Sequence, residues 1–418
     1  MKIVALHPTG NKPVRAIITA FAEAGMLAEF NTALSINAEA FWLKLLPEGI
    51  KRDLMRRIFP LPSKLIYTHP FLEMARMVLP KMGLNQLVKH EHGWASVDAV
   101  YHSVDKATAS RLNKLKNSNH IDGVYAYEDG ALASFSRAKE LGLKCIYDLP
   151  IAYWETGRRL MTEEAERLPG WANTLGGGIT DSAAKLERKT KELELADIVV
   201  CPGKFVGDSL PLWAKNKKLI MAPFGSPEIT TKNGMEVNSI TRKKDRPLRI
   251  LFAGSMGQRK GLGDLFRAMH LLNHHDFELV VMGSLRTTME FYKKEYAHFT
   301  YEAGRPHEDV LALMRSCDVF CLPSIVEGRA LVMQEAMSQG LPIIITPNTG
   351  GEDLIVEGAT GFLVPIRSPE MIASKLHWFQ QNRAKIPEMG QRAREHAANY
   401  TWESYGSKIV TEVKKFLK

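Results

Sequence analysis

The fold is decided by residues 248–272, which read LRILFAGSMGQRKGLGDLFRAMHLL. Residues 248–253 form a largely apolar run with the length of a buried strand. Residues 261–272 carry apolar side chains at helical spacing, which predicts an amphipathic helix. A glycine-rich loop with two adjacent cations, Arg259 and Lys260, joins the two. A strand, a short loop and a helix in this order are the first half of a βαβ unit.

The same alternation continues on both sides of this stretch. After it, strands are predicted at 278–282, 319–322, 342–346 and 362–364, with helices at 309–315 and 330–339. Before it, strands are predicted at 2–7, 123–127, 144–147, 197–201 and 219–222, with helices at 14–27, 131–139 and 185–196. This pattern predicts the α/β class with two doubly wound, Rossmann-like domains. A polar stretch at 226–247 lacks apolar periodicity, so we place a first domain at 1–225 and a second at 226–401.

Composition narrows the class of protein. The chain has 418 residues, of which 45% are hydrophobic and 24% charged, as expected for two soluble globular domains. No apolar run approaches the length of a membrane span, and the first residues do not resemble a secretory signal. The four cysteines form no CxxC pair, which predicts buried free thiols in a reducing compartment and disfavours zinc. We therefore expect a cytoplasmic protein.

Positive charge is concentrated at the start of the chain. Residues 1–120 contain 16 Lys and Arg against 9 Asp and Glu, within a net charge of +9 for the whole chain. Such a surplus suits an anionic partner, such as a membrane surface, or serves solubility alone. Residues 51–61 combine basic and apolar side chains, which predicts either peripheral docking on the inner face of a membrane or a helix packed on its own domain. No nucleic-acid partner is expected.

Three loops follow predicted strands of the second domain, where ligands of open α/β sheets bind. The loop at 254–261 holds Gly254, Ser255, Arg259 and Lys260, and fixed charges before a helix start suit a diphosphate. It matches neither the dinucleotide fingerprint nor a P-loop. The loop at 346–353 predicts a turn and, as a further possibility, backbone that faces a sugar.

The stretch 323–337 carries two carboxylates, with Glu327 in the loop and Glu335 in the predicted helix that follows. Eight residues along one helix correspond to about 12 Å of rise and about 80° of rotation, which predicts both carboxylates broadly on one side. They are suited to accept hydrogen bonds from sugar and ribose hydroxyls. The amides of residues 328–331, at a helix start, are suited to phosphate or sugar oxygens.

Residues 248–365 resemble the nucleotide-binding domain of the retaining glycosyltransferase family 4 (glycosyl transferases group 1). The resemblance rests on Gly254 with Arg259-Lys260-Gly261, on residues 281–284, on Glu327-Gly328 followed by Glu335-Ala336-Met337, and on residues 357–364. The first domain is more loosely similar to the family. Residues 7–11 with 14–15, 128–130 and 147–150 resemble a bacterial polysaccharide subgroup, and residues 195–197 and 222–225 resemble the general family pattern. The resemblance implies a GT-B architecture, two Rossmann-like domains facing across a cleft. From Tyr400-Thr401-Trp402 it also implies a last helix, about 402–418, that crosses back onto the first domain.

The resemblance also implies roles for single residues. Arg259 and Lys260 would stabilise the departing diphosphate, Glu327 would bind hydroxyls of the transferred sugar, and Glu335 would bind the ribose. Gly10 would lie against the diphosphate from the facing domain, and Arg305 would border the base. The remaining substrate-binding positions that it implies are Asn11, Arg15, Asp148, Gly254, Ser255, Gly283, Gly328, Arg329, Ala330 and Leu331.

The sequence departs from the family pattern at three of these positions. Ser255 stands where many relatives have a basic residue, so Arg259 would take over its role. Arg329 replaces an apolar residue, which predicts contact with an acidic sugar or acceptor, or exposure to solvent. Asp148 stands near the position of a family histidine, which leaves the acceptor side open.

The reaction predicted from these features is transfer of a sugar, with retention, from a nucleotide-sugar to a glycan or lipid-linked acceptor in cell-surface polysaccharide synthesis. The enzyme would be hexosyltransferase-like and would need no cofactor and no metal, because no Asp-x-Asp occurs and Arg259 and Lys260 supply the charge. His90-Glu91-His92 lacks an evident third metal ligand. Two alternatives remain: a nucleotide-sugar epimerase of the same fold, and an inactive scaffold of a glycan-assembly complex.

Overall fold

A computed structural model describes residues 1–37, 40, 41, 43, 48–227 and 246–417, without the side chains of residues 48, 50, 52 and 53. Most of the predicted linker at 226–247 thus lies outside the described residues. Within them the chain forms two parallel sheets, each covered by helices on both faces. The predicted α/β class with two doubly wound domains is confirmed.

The first sheet has seven parallel strands in the order β3-β2-β1-β4-β5-β6-β7. They are β1 (Ile3–Leu6), β2 (Leu27–Thr32), β3 (Ile66–Thr68), β4 (Gly123–Tyr127), β5 (Lys144–Asp148), β6 (Ile198–Cys201) and β7 (Lys218–Met221). The helices between them are α1 (Lys12–Glu23), α2 (Glu48–Met55), α3 (Pro70–Val78), α4 (Val97–Asn119), α5 (Leu132–Glu140), α6 (Trp154–Arg167), α7 (Ala183–Leu195) and α8 (Lys204–Asp208). Successive residues of β1 alternate between two cores, since Val4 packs in one cluster and Ile3 in the other.

The second sheet has six parallel strands in the order β10-β9-β8-β11-β12-β13. They are β8 (Leu248–Ala253), β9 (Phe277–Met282), β10 (Phe299–Glu302), β11 (Val319–Leu322), β12 (Ile343–Ile345) and β13 (Gly361–Leu363). The helices are α9 (Leu262–His270), α10 (Met289–Glu295), α11 (His307–Arg315), α12 (Leu331–Ser338), α13 (Pro369–Gln381), α14 (Ile386–Ala398) and α15 (Trp402–Leu417). The strand order reverses beside β8, so a crevice opens at its carboxyl end.

The predicted helix at 14–27 is wrong at its end. Helix α1 starts one residue after Asn11, whose side chain accepts a hydrogen bond from the Val14 amide, and it stops at Glu23. Gly25 then adopts a left-handed conformation with φ of 65°, which turns the chain into β2. Residues 27–32 are therefore a strand of the first sheet, and the sequence did not predict it.

Two segments connect the domains. Helix α15 returns to the first domain and packs on α1, where Gly406 lies against Ala20. In the other direction, α6 and the 3-10 turn Pro169–Thr174 reach the second domain, and Trp171 belongs to the core cluster around β8 and β9. We call residues 154–174 the connecting arm.

The four cysteines, Cys145, Cys201, Cys317 and Cys321, are free and buried, as predicted. Burial raises the pKa of each thiol, which keeps it protonated. Among the described residues, no helix has the length and hydrophobicity needed to cross a bilayer.

Candidate active site

The loops after β8, β11 and β12 lie side by side, because these three strands are neighbours in the second sheet. Their backbones are in direct contact. A Cβ on Gly261, which has φ of 75°, would lie 2.0 Å from the Pro323 carbonyl oxygen, and one on Gly350 would lie 1.8 Å from that of Gly328. Only glycine permits this approach, so the close contact explains the glycine-rich character of the loops.

The cations of the first loop converge on the carboxylate of the second. Arg259 Nη1 lies 2.7 Å and Lys260 Nζ 2.5 Å from the same Glu327 oxygen, Oε1. The Ile325 amide donates to the Arg259 carbonyl at 2.9 Å, which fixes the two loops to each other. Desolvation is the largest cause and lowers the Lys260 pKa. Glu327 opposes this shift, and Arg259 adds to it to a smaller extent. Two cations and one carboxylate leave one net positive charge at the loop.

The second carboxylate lies elsewhere than helical spacing predicts. Helix α12 begins at Leu331, so Glu327 precedes it in an irregular loop and the expected 12 Å of rise does not apply. Glu335 lies one turn into the helix, with Oε1 4.0 Å from His307 Nδ1. Burial raises the Glu335 pKa, against the charges of His307 and of Lys12 in the first domain. Glu335 thus lies at the cleft, within the field of a cation from the facing domain.

The start of α12 offers backbone donors at the same place. Ala330 is its N-terminal flanking residue, and no side chain of the described residues caps it. The Ala330 amide itself donates to the Thr349 carbonyl at 3.2 Å. The first N–H groups of a helix have no partner within the helix and carry its positive dipole, so those that start at Leu331 suit an oxyanion.

The domains touch at this point. A Cβ on Gly328 would lie 1.7 Å from the carbonyl oxygen of Pro150, in the loop after β5. The Ala152 amide donates to the Glu327 carbonyl at 3.4 Å. The loop that carries Glu327 is therefore in backbone contact with the first domain.

On the first-domain side, the residues predicted to bind substrate have structural contacts. Asn11 caps α1, and Arg15 donates to the carbonyls of Ile58, at 3.1 Å, and of Arg56, at 2.5 Å. The Phe59 ring fills the space beside Gly10, where a Cβ would lie 2.4 Å from its Cε1. Arg15 thus holds residues 56–59 against α1 within the first domain.

Arg329 does not point to solvent, as one of its two expectations had it, and contact with a substrate stays a prediction. Its side chain is 0% exposed. The guanidinium donates to Gln334 Oε1 at 2.9 Å, to the Gly350 carbonyl at 3.1 Å and to Asp353 Oδ1 at 2.7 Å. It also lies over the Tyr400 ring, 5.0 Å from the centroid. Arg329 ties the loops after β11 and β12 together.

Asp148, which is also predicted to bind substrate, has a partner within the first domain. It is buried at the carboxyl end of β5, where it accepts a hydrogen bond from the Tyr125 hydroxyl. Burial raises the Asp148 pKa to about 7, while hydrogen bonding by Tyr125 and Tyr127 acts to lower it. Asp148 is thus held by Tyr125 of the neighbouring strand β4.

The remaining predicted positions surround the loop after β9. A Cβ on Gly283 would lie 1.7 Å from the Gly254 carbonyl oxygen, so the two loops pack backbone to backbone. Ser255 is partly exposed beside them. Arg305 forms an ion pair with Glu302, and Tyr301 donates to the Gly283 carbonyl at 3.1 Å. Arg305 therefore lies at the same edge of the sheet as Gly283.

Sequence reasoning missed a buried network next to the cations. Gln258, which precedes Arg259, donates to Glu164 Oε2 and to Asp264 Oδ2, both at 2.8 Å. Arg167 bridges the same two carboxylates, at 2.7 Å from each. Glu164 and Arg167 belong to the connecting arm, far from Gln258 in sequence, so no local pattern could reveal the network.

The fold brings Asp181 to His90 and Glu91, two residues of the stretch that lacked an evident third metal ligand. Asp181 Oδ1 lies 3.3 Å from His90 Nε2. However, the Lys185 ammonium lies 3.6 Å from the same oxygen and 3.0 Å from Asp98 Oδ1. These carboxylates already have a cationic partner, so the cluster is an ion-pair network.

The second domain matches a known family. Residues 236–396 match the sequence model of glycosyl transferases group 1. A D-inositol 3-phosphate glycosyltransferase of Corynebacterium diphtheriae is 34% identical over 177 residues, 38% of this chain and 40% of that protein. A putative colanic acid biosynthesis glycosyltransferase, WcaL of Salmonella typhimurium, is 27% identical over 208 residues, 45% of this chain and 50% of that protein. The chain thus spans about half the length of the curated relatives it matches, and these similarities support the family.

Solved structures match over the whole chain. Sucrose-phosphate synthase of Thermosynechococcus elongatus has a TM-score of 0.65 at 15% identity, over 100% of this chain and 99% of that chain. Anabaena HepE in complex with UDP-glucose has a TM-score of 0.59 at 13% identity, over 99% and 100%. These likenesses show the fold, and the predicted GT-B architecture is confirmed.

Proposed function

We propose that this chain is a retaining, metal-independent glycosyltransferase that takes a sugar from a nucleotide-sugar. The observation that carries the proposal is the convergence of Arg259 and Lys260 on Glu327 at the carboxyl edge of the second sheet. Fixed cations beside a helix start suit a diphosphate, and the adjacent carboxylate suits sugar hydroxyls. The match to glycosyl transferases group 1 covers these residues.

The proposed chemistry breaks the bond between the anomeric carbon and the diphosphate oxygen. The acceptor hydroxyl oxygen forms the new bond on the same face of the sugar, and its proton passes to a donor phosphate oxygen. Arg259 and Lys260 stabilise the charge that develops on the diphosphate, which replaces a metal ion electrostatically. Glu327 orients the sugar, Glu335 binds the ribose hydroxyls, and the α12 amides bind phosphate or sugar oxygens.

Donor and acceptor follow as finer proposals. HepE, whose fold is similar, was solved with UDP-glucose, which supports a UDP-hexose as the first donor to try. WcaL, a partial relative, is described as a colanic acid biosynthesis enzyme, which supports a glycan or lipid-linked acceptor in cell-surface polysaccharide synthesis. Arg305 and Gly283, at the edge of β9 and β10, are proposed to border the base.

The test is thermal unfolding with UDP, GDP, ADP, dTDP and UDP-glucose. A nucleotide at about 100 times its Kd adds about 2.7 kcal/mol to the free energy of unfolding and raises Tm by several degrees. We expect one base to stabilise the protein and Glu335→Gln to weaken that effect, while uridine, adenosine, guanosine and thymidine stabilise less than their diphosphates. Stabilisation by none of them at millimolar concentration would overturn the proposal. Epimerisation of the bound sugar-nucleotide without acceptor would assign the site to an epimerase instead.

A further inference from the structure

The segment from α3 to the start of α4 exposes an unusual amount of apolar surface. In the described part of the chain, Phe71 is 72%, Met82 66% and Trp94 52% exposed. The exposed large apolar side chains of this segment, which we call the apolar face, are Phe71, Met74, Val78, Met82, Leu84, Leu87, Trp94 and Val97. Soluble proteins scatter such side chains singly, whereas a contiguous group marks an interaction surface.

The apolar face is contiguous in space. The rings of Phe71, on α3, and Trp94, before α4, meet edge to face at 5.6 Å between centroids. The Ala95 amide donates to the Leu87 carbonyl at 2.8 Å, and the Leu84 amide to the Leu79 carbonyl at 3.0 Å, which folds the intervening turns against each other. Phe71 and Trp94 are thus in direct contact, and the turns that carry the other side chains of the apolar face are bonded to one another.

Helix α3 buries a carboxylate and exposes several apolar side chains. Glu73 is its most buried residue and is 1% exposed at its side chain. Its carboxylate is held by Arg57 and Arg76, with Arg76 Nε at 2.7 Å. The ion pairs lie inside while Phe71, Met74 and Val78 face outward. Leu72 of the same helix packs on the first-domain core, whereas the exposure of Phe71, Met74 and Val78 runs against the hydrophobic effect.

The charge around the apolar face is positive. Lys81 and Lys89, which lie within the same segment, are exposed. The acidic residues of the segment are withdrawn, since Glu73 is buried and Glu91 accepts from the Ser182 amide at 3.1 Å. Lysines around Phe, Trp, Met and Leu are the composition of an interfacial, anionic-lipid surface.

We propose that the apolar face docks on the surface of an anionic lipid bilayer, with its aromatic and methionine side chains among the acyl chains and its lysines at the headgroups. This surface differs from the one predicted at 51–61, where Phe59 is buried in the core and Arg57 pairs with Glu73. The proposal stands independently of the donor site.

The position of the apolar face suits delivery of a membrane-bound acceptor. Helix α3 follows the carboxyl end of β3, the edge at which the cleft opens. The loop before α4 is fixed to the start of α7 by His90 and Asp181, at 3.3 Å. Docking would thus place the edge of the first sheet at which its strands end, and the cleft beside it, next to the lipid headgroups.

The test is co-sedimentation of the full chain with vesicles. One set is phosphatidylcholine alone, and the other contains about one-third phosphatidylglycerol. We expect binding to the anionic vesicles only, and weaker binding at high salt. Phe71→Ser with Met82→Ser, and separately Lys81→Glu with Lys89→Glu, should each weaken binding at least about tenfold, the equivalent of about 1.4 kcal/mol.

The matched control is Leu212→Ser with Trp213→Ser, because these side chains are 88% and 48% exposed at another place in the first domain. It should bind vesicles as the unaltered protein does. A lipid-induced blue shift of tryptophan fluorescence should be lost in Trp94→Phe, which keeps the aromatic contact with Phe71. The proposal would be overturned if the unaltered protein failed to sediment with anionic vesicles, or if the control lost vesicle binding to the same extent. Self-association of the protein that Phe71→Ser abolishes would also overturn it. Nucleotide stabilisation should persist in every variant, so the outcome is separable from the proposed function.

Discussion

Replacement of Lys260 by methionine tests the electrostatic role of the loop after β8. Arg259, Lys260 and Glu327 together leave one net positive charge, and Lys260→Met reduces it to zero. A unit charge about 4 Å from a phosphate contributes about 4 kcal/mol at an effective dielectric of about 20. Residual compensation by Arg259 reduces this to about 3 kcal/mol, so we expect the Kd for the stabilising nucleoside diphosphate to rise about 100-fold.

The same substitution should cost little stability. Glu327 keeps its partner Arg259 at 2.7 Å, so no buried carboxylate is stranded. The aliphatic part of Lys260 lies over Gly254, and methionine can retain that contact. We expect the free energy of unfolding in guanidinium chloride to fall by no more than about 1 kcal/mol.

The assay is titration calorimetry with the nucleoside diphosphate and with the uncharged nucleoside. Loss of a charge contact weakens binding of the diphosphate alone, whereas a distorted loop weakens binding of both ligands equally. The control is Lys217→Met, whose ammonium donates to the carbonyls of Glu194, at 3.0 Å, and Ala196, at 2.8 Å, in the first domain. An unchanged diphosphate Kd in Lys260→Met, or an equal change in the control, would refute the reasoning.

Two further predictions concern buried polar groups. Arg329→Met should lower the free energy of unfolding by about 1–3 kcal/mol, because the buried Gln334 loses its partner, whereas Asp353, whose side chain is 41% exposed, remains solvated. The nucleotide Kd should change less than about threefold. Thermal and calorimetric measurements check both values, and a large Kd change with normal stability contradicts the structural role. For Asp148, whose folded pKa is about 7 against about 3.9 when unfolded, the folded state retains a proton that the unfolded chain releases, so stability falls as pH rises from about 4 to about 7. Asp148→Asn cannot ionise and should lose that part of the dependence; parallel denaturation profiles for the two proteins across this range would contradict it.

Local patterns predicted the elements that their own residues determine. Strands β8 and β11 were predicted with the bounds that the structure shows, because both are continuous apolar runs beside clear loop signals. The position of the three loops at the carboxyl edge also followed from sequence, since the carboxyl ends of parallel strands meet at one edge of a sheet.

What the sequence could not predict depends on distant partners. Strand β2 carries the polar residues Glu29 and Asn31 inside the fold, and Glu29 is paired with Arg111, 82 residues away, at 2.8 Å and 2.5 Å. A buried carboxylate looks like a solvent-facing one until its partner is known. The burial of Arg329 and of Glu73 in α3 could not be predicted for the same reason, because both depend on distant partners.

The connecting arm bears on how such enzymes can be recombined. A donor half and an acceptor half cut at residue 225 would separate Trp171 from the second-domain core that it completes, and Arg167 from Asp264. A chimaera built on this chain should therefore carry residues 154–174 from the same parent as its second domain. The unit of exchange is set by where the side chains pack, and the interdomain linker alone does not define it.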